Sequence, residues 1–393
     1  MNALISGVGI AGATLAFWLH KYGIEPTLVE LAPALRSSGY VIDFWGLGYD
    51  IAEKMGLLPD ITRIGYHTQE LRIVDEDGRR LSGFGVQLFR ELTGGRYVTI
   101  GRGDLSKLIC DQISGSCEII FGDSIAGLRE TGGEVHVQFE HGAERRFDLV
   151  IGADGLHSRV RKLVFGPQDR YEKDLGYRVA AFETTGYRRR DELVYIVHSA
   201  PGRQVGRFAL HDGQTLFLFI FASGSEPEAH GVAAQKAMLR KAFQGDGWEL
   251  PRILTALDTC DDLYFDRVSQ IRMAAWSRGR IALVGDAAFC VSLLAGQGSA
   301  LAMTAAYVLP GELATLQHQP QEAFRRYEER LRPFIDRKQR AAERFASAFV
   351  PRTQLGIFFR NQVMKSFRIP AVARIAIGRD IRDDQFELPR YHL

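Results

Sequence analysis

Gly7, Gly9 and Gly12 fall in the string GVGIAG near the amino terminus. Glycines at these spacings have a chemical use. The first permits a tight turn, the second lets backbone approach a pyrophosphate, and the third lets a helix pack closely on a strand. A helix opening at Ile10 and Ala11 would turn its first N–H groups and its partial positive charge toward phosphate oxygens. Glu30 lies 21 positions after Gly9. A carboxylate there accepts hydrogen bonds from ribose hydroxyls and disfavours a 2′-phosphate. Leu31 follows it, and Arg36 could reach the adenosine end. This element fits a dinucleotide without separating NAD from FAD.

Three further strings carry polar groups in similar settings. GRIALVGDAAFCVSLLAGQGSALAM spans residues 279–303. In it Asp286 projects at the carboxyl edge of a strand, where it can accept hydrogen bonds from ribityl hydroxyls. Gly296, Gln297 and Gly298 then lead into a helix whose exposed N–H groups could stabilise negative charge at the N1 and C2 carbonyl edge of a flavin. DLVIGADGLHSRVR, residues 148–161, holds Asp154 in a tight turn, followed by Arg159 and Arg161. Arg102 is the second residue of GRGDLSKLI, residues 101–109.

Together GVGIAG, the 148–161 string and the 279–303 string resemble, in order and placement, the three fingerprints of the para-hydroxybenzoate hydroxylase class of flavoproteins. IDFWGLG, within residues 37–58, looks similar to the tetracycline-degrading flavin monooxygenases. The resemblance covers the flavin-binding part well and the substrate-binding part poorly. It implies noncovalent FAD, with Arg102 at the position of a flavin-contacting arginine and Asp154 in an element associated with nicotinamide use. It also implies NAD(P)H as a transient reductant, since no second GxGxxG stands in a βαβ context. The implied reaction is addition of O2 at flavin C4a and transfer of one oxygen to an electron-rich substrate.

The chain departs from that pattern where the family often has His and two prolines: Phe289, Val291 and Leu293 stand there. Without proline's fixed φ, Leu293 predicts a less rigid loop at the flavin's reacting edge, and Phe289 removes an acid–base group. Two other chemistries on the same fold therefore stay open: a non-redox cyclase that works by positioning alone, and an FAD-dependent alkene reductase. The tryptophans Trp18, Trp45, Trp248 and Trp276 form no WxWxIP string, which disfavours a halogenase. The serines have no GxSxG setting, which disfavours a hydrolase.

The elements that must position these groups follow from local pattern. Residues 3–6, 13–22 and 27–30 form a strand, a helix and a strand, a βαβ opening that implies a parallel sheet. Residues 134–139 and 145–151 read as strands around His141-Gly142. Residues 177–221 are strand-rich, with a hairpin signal at Asp212-Gly213. Helices are predicted at 104–113, 227–243, 298–316, with Pro310 kinking or ending it, and 321–349, an amphipathic surface helix. The expected fold is α/β: a Rossmann-type FAD domain (1–71, 98–170, 276–316) interleaved with an α+β substrate domain (72–97, 171–275), then a helical region (317–393). Period two places Phe217, Phe219 and Phe221 on one face, and Arg207 opposite Phe208. The substrate cleft is predicted to take in Arg207, Phe219, Phe289 and Leu293, with Arg207 orienting a phenolate or acidic enol of a polycyclic or polyketide-like molecule.

Composition narrows the rest. The 49 Lys and Arg balance 47 Asp and Glu, which gives no global field for nucleic acid. Four cysteines without a CxxC pair disfavour zinc or thioredoxin-like chemistry and fit a reducing compartment. No metal site is expected. No apolar run approaches the roughly 18 residues needed to span a bilayer. These features suit a cytoplasmic enzyme whose partner is a small molecule. The sequence sets no oligomeric state.

Overall fold

The computed structural model describes all residues except 36–38, 189–190, 225–228, 317–318, 368, 370, 373, 376–385 and 392–393, and the backbone alone at 346–347. Its framework is α/β. Strand Asn2–Ser6 pairs in parallel with Glu25–Glu30 on one side and Leu149–Gly152 on the other. Glu118–Phe121 and Ile281–Leu283 extend this sheet in parallel, and Ser277–Arg278 closes one edge antiparallel. Helix Ile10–Lys21 is a crossover between the first two strands. It is apolar nearly all round because it is sandwiched between the sheet and helix Gly298–Thr315. Trp18 meets Tyr307 edge-on there at 4.8 Å.

The segment predicted as one strand at 145–151 is two. Arg145–Phe147 pairs with Glu134–Phe139 in a three-stranded sheet, and Leu149–Gly152 enters the parallel sheet. Asp148 divides them, accepting from the backbone N–H of Asn2 at 2.8 Å. Pro310 lies inside helix Gly298–Thr315, which continues past it.

A seven-stranded sheet stands beside this framework, in the order Tyr264–Ile271, Glu172–Thr185, Gln214–Ala222, Arg203–Ala209, Val194–Ala200, Glu70–Val74, Arg80–Gly85. Its pairs are antiparallel except Val194–Ala200 with Glu70–Val74. The change of domain predicted after residue 71 thus falls within a strand. One face of the sheet is covered by helices Val232–Phe243 and Leu250–Asp258. The latter buries Leu250, Ile253, Leu254 and Leu257, a helical stripe matched to Phe182, Phe217, Phe219 and Phe243. The other face turns to the flavin side. Helix Pro320–Phe349 runs across both units, burying Leu331, Phe334 and Ile335 against the parallel-sheet core.

Candidate flavin site

The first glycine string is used as its spacing requires. Gly7 has φ +100°, and a Cβ there would stand 2.6 Å from the Ala153 carbonyl oxygen. At Gly12 a Cβ would stand 2.0 Å from the Gly7 carbonyl oxygen. Gly9 caps the helix, and a Cβ there would meet nothing within 4 Å, so its open side is where backbone can approach a phosphate. The helix leaves the N–H groups of its first turn, at Ile10, Ala11 and Gly12, without partners of its own. Glu30 ends its strand as expected, and its oxygens accept from the N–H of Val8 at 2.9 Å and of Ala32 at 3.0 Å. The carboxylate is thereby locked beside the glycine turn, with lone pairs remaining for ribose hydroxyls. Leu31 beside it is exposed. Arg36 lies outside the described residues.

The other strings converge on the same helix start. Gly285, φ +65°, brings the turn before Asp286 so close that a Cβ would lie 3.2 Å from Ala11 Cβ. Only a glycine holds that backbone without strain. Asp286 opens the short helix Asp286–Phe289, and a Cβ on Gly298 would stand 4.0 Å from its Oδ1. Gly296 is left-handed, φ +66°, and turns the chain into helix Gly298–Thr315 with Gln297 as N-cap. The start of that helix, through Ser299 and Leu301, shares a pocket with Ile42, Phe44 and Gly46 of the strand Val41–Trp45 region. Arg102 opens helix Arg102–Ile113, and its N–H donates to the Tyr40 carbonyl at 3.0 Å. Burial raises the Asp286 carboxyl above its ordinary range, and the Arg102 guanidinium across the space pulls it back. A phosphate cradle, a ribose acceptor, a carboxylate and a guanidinium thus face one space, a donor and acceptor set that fits FAD. Burial and Asp286 push the Cys290 thiol well above its usual range, so it stays protonated there. All four cysteines are free.

Four expected site residues are placed otherwise. Asp154 serves its own chain: it accepts from Ser158 Oγ at 2.5 Å and from the N–H groups of Arg159 and Val160 at 2.8 and 3.1 Å, tying the turn to helix Arg159–Val164. Arg161 in that helix is also internal, donating to the carbonyls of Leu156 and Ala287. Arg207 is 1% exposed and donates to Glu249 at 2.7 and 2.8 Å and to Asp191. It lies, with Phe219, on the face covered by helices, so neither lines the cleft. The alternation of side chains was expected correctly, but period two says which residues share a face and not which face a helix covers. Phe289 is buried against Trp276, ring centroids 4.7 Å apart, and does not reach the cleft. Leu293 stays on the cleft side, packed near Leu218, Tyr264 and Ile220.

Several residues were not singled out in the sequence. The inner sheet face is apolar and rich in phenols: Phe208, Leu210 and Leu216 cluster with Tyr40, Tyr66, Tyr195 and Tyr264. Tyr40 and Tyr264 stand 5.7 Å apart. Burial pushes the Tyr40 phenol up to about 12 and that of Tyr264 well above its ordinary value, so both remain donors at neutral pH. His157, in the Asp154 string, bonds Asp266 of the sheet at 3.0 Å and Gln168 at 3.1 Å, bridging the two units. The loop that lacks the two prolines is not loose. Gln339 Nε2 donates to the carbonyls of Ile271 at 2.7 Å, Cys290 at 3.1 Å and Phe289 at 3.4 Å. Gln270 Nε2 donates to the carbonyls of Val291 at 3.1 Å and of Gln339 at 2.8 Å. Two buried amides therefore hold by hydrogen bonds what proline would hold by its ring. No cluster of His, Cys, Asp and Glu suited to a metal is present among the described residues. Among them, too, no helix is long and apolar enough to cross a membrane.

Comparison with known proteins agrees with this geometry. Residues 1–342 match the family model described as FAD binding domain. The chain is similar to a flavin-dependent monooxygenase from an unknown prokaryotic organism, 36% identical over 341 residues, covering 86% of this chain and 87% of the relative. A flavin-dependent monooxygenase of Legionella longbeachae is 31% identical over 371 residues, covering 90% and 91%. Among solved structures, tetracycline destructase Tet(51) superposes with a TM-score of 0.85 at 30% identity, covering 99% of both chains. The chain belongs to the FAD-binding monooxygenase family and is an FAD-dependent oxidoreductase.

Proposed function

We propose that this protein is a single-component monooxygenase that uses NAD(P)H and O2 to oxidise a polycyclic or polyketide-like phenol or enol. The observation that carries the substrate class is the inner sheet face, where Phe208, Leu210, Leu216 and Leu218 cluster with the phenols of Tyr40, Tyr66, Tyr195 and Tyr264, and Leu293, shortly before Gly296, packs with Leu218 and Tyr264. A broad apolar wall whose polar groups are neutral phenols, with no cation on it for a carboxylate among the clustered residues, suits a large fused-ring molecule better than a small benzoate. The name of the similar tetracycline destructases points to the same class.

FAD, held noncovalently, supplies the redox and oxygen chemistry when bound. The residues of this chain have separate tasks. Gly7, Gly9, Gly12 and the helix start at Ile10 and Ala11 take the pyrophosphate, Glu30 the ribose, and Asp286 the ribityl chain. Arg102 and the helix start at Gly298 stabilise negative charge on the flavin. Tyr40 and Tyr264, kept neutral by burial, donate to substrate oxygens and keep water out of the cleft. The parallel-sheet segments, interleaved with the seven-stranded sheet, form the flavin domain, and the sheet forms the substrate domain.

The test is NAD(P)H oxidation by the holoenzyme with a panel of polycyclic phenols, small benzoates as comparison. Polycyclic phenols should stimulate O2 uptake and yield a product heavier by one oxygen atom. Stimulation by small benzoates alone would refute the substrate class. Turnover without NAD(P)H consumption would refute monooxygenation and favour the cyclase reading.

A further inference from the structure

Helix Gln354–Ser366 packs one side on the outer part of the seven-stranded sheet. Ile357 and Asn361 are buried on that side, Phe367 meets Phe84 edge-on at 5.8 Å, and Arg360 donates to Ser199 Oγ at 3.2 Å and to the Phe349 carbonyl at 3.3 Å. The opposite side is apolar and, among the described residues, uncovered. Leu355, Phe358, Phe359 and Val363 are 65%, 55%, 59% and 56% exposed and recur at i, i+3, i+4 and i+8, a single stripe. Ile369, Val372 and Ile375 continue the exposed apolar surface beyond the helix.

Charge is the second observation. Residues 344–379 contain no Asp or Glu but carry Arg344, Arg352, Arg360, Lys365, Arg368, Arg374 and Arg379, although the chain as a whole is nearly neutral. Arg352, Lys365 and Arg374 are exposed around the stripe. Apolar side chains this exposed, on a segment whose charged residues are all cations, are unusual on a soluble surface. They have the composition of a helix that lies in the plane of a lipid interface.

We propose that this carboxy-terminal face docks on an anionic lipid surface. The helix has 13 residues. At about 1.5 Å per residue it is too short to span a bilayer, and its inner side is committed to the sheet, so it can only lie flat. Phe358 and Phe359 enter the acyl boundary while Lys365 and Arg374 reach lipid phosphates. A second copy of this chain is a poorer occupant. A two-fold contact would set the same cationic rim against itself, whereas an anionic bilayer complements both the charge and the apolar stripe.

The experiment is co-sedimentation of the holoenzyme with phosphatidylglycerol–phosphatidylcholine vesicles, against phosphatidylcholine alone, at low and high salt. Binding should favour the anionic vesicles and weaken with salt. Lys365→Glu with Arg374→Glu should weaken it at least about fivefold for each charge, the effect of one basic side chain near such a surface. Phe358→Gln with Phe359→Gln should lower it roughly tenfold or more, since two apolar rings lose their burial. Both pairs are exposed, so flavin absorbance and the unfolding midpoint should match the parent and show that the variants fold. Equal binding to neutral vesicles, no binding to either, or undiminished binding by the phenylalanine pair would overturn the proposal. So would a concentration-dependent dimer that the same pair dissolves, which would assign the face to a second copy.

Discussion

Replacing Gln339 by leucine tests whether hydrogen bonds hold the loop beside the flavin site. Leucine is close in volume, so the packing change is small. The amide donors to Ile271, Cys290 and Phe289 are lost. The Cys290 carbonyl keeps one partner, the Ile271 N–H at 3.0 Å. The loss therefore falls mainly on the Ile271 carbonyl, with a lesser share at the long Phe289 contact. A buried acceptor left without a donor costs about 1–3 kcal/mol, so Gln339→Leu should destabilise by about 2 kcal/mol. If the loop moves to escape that cost, Asp286 and Gly298 move with it, and FAD affinity falls by up to about thirtyfold instead. Gln339→Glu should be worse at neutral pH, because it sets a carboxylate against three carbonyl oxygens. Its protonated form regains one donor. Burial raises such a carboxyl, so the deficit should shrink as pH falls through that raised value. The assays are urea unfolding of the apoprotein and FAD titration by fluorescence, each at two pH values. A leucine variant unchanged in both, or a glutamate variant with no recovery on acidification, would refute the role given to Gln339.

Asp286→Ala and Arg102→Ala should each weaken FAD binding about ten- to a hundredfold, the loss of one charge-assisted hydrogen bond. Arg63→Ala, an exposed partner of Asp60, should leave the affinity unchanged in the same titration. Arg207→Ala removes a buried cation that donates twice to the buried Glu249 carboxylate and should destabilise by about 3–5 kcal/mol, while any enzyme that remains folded keeps its KM. A large KM effect with unaltered stability would return Arg207 to the substrate site. The His157 imidazole is raised above its ordinary 6.5, chiefly by its hydrogen bond to Asp266. Its contribution is complete below pH 6.5 and lost as pH rises through the raised value. Stability followed by unfolding midpoint should therefore slope downward above pH 6.5, and His157→Gln should flatten that part of the curve.

The flavin side was legible in the sequence because its requirements are local. A Cβ at Gly7 or Gly12 would strike neighbouring backbone, and Gly285 holds a positive φ; constraints of that kind show in one residue and its spacing. Glu30 was legible for the same reason: a strand end beside a glycine turn puts a carboxylate at a known place. The substrate side was less legible. Alternation in Gln214–Ala222 determined that Phe217, Phe219 and Phe221 share a face, but either face could have met the flavin. The choice was made by helix Leu250–Asp258, distant in the chain, whose apolar stripe needed that face and took Arg207 into the same covered layer. Gln339 was hidden by composition. In a long helix rich in charge, a glutamine reads as solvent-facing, and only its place on the stripe of Leu331, Ile335 and Ala342 hints that it turns inward. Its partners, the carbonyls near residues 271 and 290, are main-chain groups that every sequence contains. The sequence by itself thus determined the glycine turns and the carboxylate beside them, where steric exclusion acts on single residues. The tertiary structure alone decided which sheet face becomes the cleft and what stiffens the proline-free loop, because both depend on contacts between segments far apart in the chain.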